Sequence, residues 1–104
     1  MNDNIWYLKC FENQIGSFVK TGSDQPWHIG EFTPLTAFEE HKEFFKAFAA
    51  EYKTNNGKNW DKFFDQLTQR GYYWHIGNNE KMVRFILFIA NPESRLRGQI
   101  IETT

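Results

Sequence analysis

TPLTAFEEHKEFFKAFAAEYKTNNGKNWDKFFDQLTQRG, residues Thr33 to Gly71, is the stretch whose reading decides the fold. It scans as two amphipathic helices joined by the polar turn Asn55-Asn56-Gly57-Lys58. Phe38, His41, Phe45, Phe48 and Tyr52 recur at three- and four-residue steps, which is one stripe of a helix, and Ala37, Phe44 and Ala49 widen it. Glu39, Glu40, Lys42, Glu43, Lys46 and Glu51 fall on the opposite side, a solvated face. Two start signals compete. Thr33-Pro34 offers a proline at the first helical position, and Thr36 with Glu39 has the spacing of a capping box. Asn59 caps the second helix, Trp60, Phe63, Phe64 and Leu67 form its apolar face, and Arg70-Gly71 ends it with a cation followed by glycine. His41 sits inside the apolar stripe and reads as a hydrogen-bonded core or boundary histidine rather than a ligand.

Outward from the helices, both flanks read as short strands. Ile5 to Phe11 is rich in aromatic and branched residues. Trp6, Leu8 and Cys10 share one of its faces, and Tyr7, Lys9 and Phe11 the other. Ile15 to Lys20 returns after a turn, Thr21 to Pro26 reads as a mobile loop, and Trp27 to Phe32 is a third strand. After the helices, Tyr72 to Ile76 and Lys81 to Ala90 flank the hairpin turn Gly77-Asn78-Asn79-Glu80. Asn91-Pro92 stops the second of these strands. Residues 92–97 then suit one helical turn, and Gln99 to Glu102 a final edge strand. The fold class this predicts is α+β: a two-layer sandwich, mostly antiparallel, of order β-β-β-α-α-β-β, with a helical hairpin on one face. Residues 1–104 form a single domain by length.

In that arrangement Trp6, Leu8, Trp27, Ile29, Trp74, Ile76, Phe85 and Leu87 face the helices. Tyr7, Phe11, His28, Tyr73, His75 and Phe88 face outward. The tetrapeptide Trp27-His28-Ile29-Gly30 recurs as Trp74-His75-Ile76-Gly77. Either this is chance repetition of β-favouring residues, or the two segments lie close on one sheet and project His28 and His75 together.

Composition narrows the function. The net charge is −1, which gives no bulk case for nucleic acid or an anionic membrane. The lone Cys10 forbids an internal disulfide, its apolar neighbours suggest an inert thiol, and it fits a reducing compartment. Met1 to Asn4 lacks the charged start and apolar run of a secretion signal. The longest apolar run, Phe85 to Ala90, is too short to span a bilayer. These features point to the cytoplasm. There is no phosphate-binding glycine loop, no dinucleotide fingerprint, no nucleophile elbow and no paired-cysteine or His-Glu-x-x-His metal motif.

The leading expectation is a non-enzymatic protein-binding domain with no cofactor. It would mask or scaffold a partner protein, as small bacterial inhibitor, immunity-type or adaptor proteins do, with a homodimer as an alternative cover for the outward face. Tyr7, Phe11, Tyr73, His28 and His75, with the loop Ser23-Asp24-Gln25, are the candidate contact residues, because rigid aromatics bury much area at little entropic cost. The competing expectation is a small metal-binding or hydrolytic enzyme using His28 and His75 with Glu31 or Glu80. A third is single-stranded RNA stacking on the outward aromatics, with Arg84, Arg95 and Arg97 on phosphates. The absence of net positive charge counts against nucleic acid as the partner.

Overall fold

The computed structural model describes residues 4–55, 60–77, 80–90 and 93–102. Six strands make up most of it: β1 (Ile5–Cys10), β2 (Asn13–Asp24), β3 (Trp27–Pro34), β4 (Tyr72–Gly77), β5 (Glu80–Phe88) and β6 (Ser94–Glu102). A 3₁₀ turn (Thr36–Glu40) and two helices, α1 (Lys42–Asn55) and α2 (Trp60–Gln69), separate β3 from β4. The strands are antiparallel and pair in the order β1-β2-β3-β6-β5-β4, with β4 returning to β1 to close a barrel.

The expected two-layer sandwich is therefore wrong. Its inner face packs against itself across the barrel instead of against a helical layer. Trp6, Leu8, Phe18, Trp74, Met82, Phe85, Leu87 and Leu96 are all buried there. Each such side chain contributes about 1.5–3 kcal/mol relative to its exposed state. Two inward positions are glycines because the barrel is narrow. A Cβ on Gly98 would lie 2.6 Å from the Met82 sulfur, and one on Gly30 would lie 2.8 Å from the Phe18 ring.

Closure depends on β6. Arg95 pairs with Ile29 on one side and with Phe88 on the other, so Ser94–Glu102 is an interior strand of the closed sheet. This replaces the expected helical turn over 92–97 and the short edge strand after it. Leu96 explains the difference: it is fully buried between β3 and β5, opposite His28 and Leu87. The expected loop from Thr21 is also mostly strand. Gly22, Ser23 and Asp24 continue β2 by pairing with Ile29, His28 and Trp27 after a bulge past Lys20.

The helical segment extends the core out of one end of the barrel. Phe38 meets Phe32 at 5.1 Å between ring centroids, and Phe45 meets Tyr72 at 4.8 Å and Phe85 at 6.1 Å. Phe48 stacks on Phe63 at 4.6 Å and 12°, joining α1 to α2. Both helices lie along β5, and Ile86 on its outer side is only 2 % exposed. The 3₁₀ turn starts at Leu35 with no side-chain cap, so neither Thr33-Pro34 nor the Thr36–Glu39 box marks the start of a regular α-helix. The inter-helix turn at 56–58, the Asn59 cap, the hairpin residues Asn78 and Asn79, the Asn91-Pro92 stop and the first three residues lie outside the described residues.

Candidate functional site

Strand parity places Tyr7, Lys9, Tyr73 and His75 on the outside of the barrel. Their neighbours along the chain, Trp6, Leu8, Tyr72 and Trp74, are the buried ones. Pairing then sets them in rows. Tyr7 lies opposite His75, which lies opposite Lys81, so one row crosses β1, β4 and β5. Lys9 lies opposite Tyr73 in the next row. The Lys81 ammonium sits 4.7 Å from the centroid of the Tyr73 ring, within cation–π range. The result is a chequered surface of aromatic rings and cations.

Phe11 borders this surface. It occupies the first turn position between β1 and β2, where φ is 56°, a backbone region that bulky residues rarely adopt. Its N–H donates to the Gly71 carbonyl at 2.8 Å, and its ring lies on Gly71, where a Cβ would approach to 2.6 Å. Gly71 itself has a φ of 79°, so glycine is required there twice over. Phe11 is nevertheless 64 % exposed. With Thr68, Tyr73, Lys81 and Val83 it lines a shallow depression of about 360 Å³.

Of the residues singled out in the sequence, the structure brings Tyr7, Phe11, Tyr73 and His75 to this one region. It places the others elsewhere. Ser23, Asp24 and Gln25 form the tip of the β2–β3 hairpin, where Asp24 meets Arg95 at 3.3 Å. His28 does not join the outward face: it points inward, half-buried, with its ring 4.8 Å from Trp6. The expected face assignment is thus inverted on β3, where Trp27 and Ile29 are the outer residues. The physical reason is parity: His28 alternates with Gly30 and Phe32, which face the buried Phe18, and it pairs with the buried Leu96. Phe88 is outward as expected but is covered by Trp27 and Tyr52.

The two histidines are therefore not a pair. β3 and β4 are not neighbours in the barrel, and His28 and His75 lie on opposite sides of its wall. Among the described residues no three His, Cys, Asp or Glu side chains gather in a group that could hold a metal. Burial, with Lys20 nearby, lowers the His28 pKa below its usual 6.5. Its Nδ1 is buried without a hydrogen-bond partner. His41 is a hydrogen-bonded boundary residue, as its stripe position suggests: its Nδ1 and the Tyr72 hydroxyl lie 2.6 Å apart in a hydrogen bond. Cys10 donates its S–H to the Arg70 carbonyl at 3.3 Å, and burial raises its pKa, which disfavours the reactive thiolate.

Sequence reasoning passed over Lys9 and Lys81 as site residues. The signal was available, because Lys9 shares the parity of Tyr7. The pairing of Lys81 with His75, by contrast, is visible only once the barrel is closed.

A stretch of 69 residues, 64 % of this chain, is similar to threonine–tRNA ligases of methanogens. Identity is 38 % in Methanococcus maripaludis strain S2, 39 % in Methanococcus vannielii and 42 % in Methanococcus aeolicus. The matched stretch is 11 % of each ligase, so the chain spans only a small part of these curated relatives. No protein-family profile and no solved structure matches the chain. Among the described residues no helix is long and apolar enough to cross a membrane.

Proposed function

We propose that this barrel is a non-enzymatic, cytoplasmic RNA-binding module whose contact surface is the outer face of β1, β4 and β5. The observation that carries the reading is the Lys81 ammonium held over the Tyr73 ring, next to the Tyr7–His75 row and Lys9. Unpaired bases stack on aromatic rings while cations beside the rings meet the phosphates. The net charge of −1 weighs against binding driven by bulk electrostatics. It does not weigh against a surface where stacking supplies much of the affinity. Similarity to a segment of ligases whose substrate is a tRNA supports the same reading, while their ligase activity belongs to proteins of which the matched stretch is 11 %.

The test is fluorescence anisotropy of labelled single-stranded RNA and of a tRNA with the full chain at low and moderate salt. Tyr73→Ala and Tyr7→Ala should each weaken binding by the worth of one stacked base, about 1–3 kcal/mol. Circular dichroism checks that both variants remain folded. Absence of RNA binding at low salt, or binding indifferent to both variants, sinks the proposal.

A protein partner, masked or scaffolded in the manner of an inhibitor or adaptor, is the second reading, and Phe11 favours it. A large aromatic is held exposed on a strained backbone, which is how contact residues are often stored. Such a partner would be lost with Phe11→Ser and would bind with little salt dependence.

A further inference from the structure

On the far side of the barrel from Tyr73, three rings meet over the β3–β6–β5 wall. Trp27 contacts Phe88 at 5.4 Å and Tyr52 at 5.7 Å, and Tyr52 contacts Phe88 at 5.3 Å. They floor a groove of about 500 Å³ that also has Lys53, Glu93 and Arg95 on its walls. The Lys53 ammonium lies 5.3 Å from the Phe88 ring, and the Arg97 guanidinium lies 5.9 Å from the Trp27 ring while donating to the Tyr52 hydroxyl at 3.2 Å. Arg95 pairs with Asp24 at 3.3 Å, both side chains exposed. An ion pair in that setting contributes little and yields to a better anion.

We infer that this groove is a binding site for a guanine nucleotide. The three rings stand at 56–80° to one another, so the base stacks on the face of one ring and packs against the edges of the others. Lys53 and Arg95 take the phosphate, for which arginine is geometrically suited. The Glu93 carboxylate is an acceptor, and guanine presents adjacent N1–H and N2–H donors on one edge, a match that adenine lacks. A nucleotide is the occupant that uses all three features. A wholly apolar ligand would leave the cations unused, and an inorganic anion would leave the rings unused. The same chemistry is presented by a free nucleotide and by an unpaired or terminal guanosine of an RNA strand. The site does not depend on the β1–β4–β5 face.

The experiment is titration of the full chain with GMP, guanosine and AMP, followed by the Trp27 indole N–H resonance in ¹H–¹⁵N spectra. GMP should shift that resonance saturably. Guanosine should bind about tenfold more weakly, because it lacks the charge-assisted contacts. AMP should bind several-fold more weakly, and Glu93→Gln should abolish the preference for GMP. Arg95→Gln, at an exposed position, should lose the advantage of GMP over guanosine while leaving the spectrum otherwise native. No saturable shift with GMP overturns the site, and so does equal affinity for GMP and guanosine. Equal affinity for GMP and AMP overturns the assignment to guanine. A short RNA ending in guanosine 5′-phosphate separates the sources. Competition with GMP at higher affinity makes the RNA strand the natural ligand, and equal affinity makes it the free nucleotide. Tyr7→Ala and Tyr73→Ala should leave the GMP titration unchanged, so failure of the RNA face and failure of this groove are read separately.

Discussion

The Tyr72 hydroxyl and His41 Nδ1 share a hydrogen bond of 2.6 Å, tying the first residue of β4 to the junction between the 3₁₀ turn and α1. Burial raises the Tyr72 pKa, so the phenol stays protonated in this bond. Tyr72→Phe should cost about 1 kcal/mol, the net worth of one hydrogen bond. Because both variants of a cycle, Tyr72→Phe and His41→Phe, remove the same bond, their effects should be less than additive in urea denaturation. Full additivity would show that the bond contributes nothing.

His28 makes stability depend on pH. Its folded pKa is depressed, first by burial and then by Lys20, from an ordinary 6.5. Between the two values the unfolded chain binds more protons than the folded one. The contribution is therefore complete above about pH 6.5 and is lost as the pH falls through the folded value. The physical cause is the unpartnered Nδ1, which on protonation becomes a buried cationic N–H with no acceptor. The melting temperature should fall between pH 7.5 and pH 5, and His28→Phe should fall less. Parallel pH profiles for the two proteins would contradict this account.

Crowding inside the barrel makes its glycines unequal. Gly98→Ala drives a methyl to 2.6 Å from the Arg84 carbonyl and the Met82 sulfur, and overpacking of that kind costs about 1–3 kcal/mol. Gly22→Ala meets nothing within 4 Å and should be neutral or stabilising by about 0.4–1 kcal/mol. Thermal melts of the two single variants test the pair.

Phe11→Gly removes a residue from the left-handed region at little burial cost, since the ring is 64 % exposed. The backbone relief is about 1–2 kcal/mol. The melting temperature should hold or rise. A clear fall would mean that the ring's contact with Gly71 outweighs the strain.

The salt dependence of RNA affinity is set by how many cations meet phosphates. Lys81→Gln and Lys9→Gln should each reduce the slope of log K against log salt by about 0.7, the single-strand value per contact. Unchanged slopes would place the RNA on another surface.

Much of this architecture was legible locally. Alternation in Ile5–Cys10 and Tyr72–Gly77 separates Trp6, Leu8 and Trp74 from Tyr7, Tyr73 and His75, because one face of each strand is apolar and the other is not. The helices follow from the stripe through Phe45 and Phe48. Closure was not legible, because it rests on β6, where Arg95, Arg97 and Gly98 carry no strand signal and Leu96 alone marks the interior. The face of β3 was lost for a related reason. Trp27 and Ile29 look more apolar than His28, yet the packing of Gly30 on Phe18 and the pairing of His28 to Leu96 put the histidine's face inside. Both are long-range effects, and local pattern contains neither. The candidate site divides in the same way: its aromatics follow from parity, and its cations from pairing.

The barrel closes through a short seam: β3 and β6 meet only from His28 to Gly30 and from Ser94 to Leu96, and beyond it β6 continues to Glu102 without pairing to β3. The flank of β6 beyond Leu96 is therefore the place where a visiting strand could add to the sheet. The seam also sets what truncation would expose. A chain cut before Ser94 would leave β3 and β5 each with a bare flank of hydrogen-bonding groups beside a row of large apolar side chains. Two such flanks in one molecule are a template for end-on polymerisation. β6 thus covers the flank of β5 and the start of β3, a duty separate from anything its arginines bind.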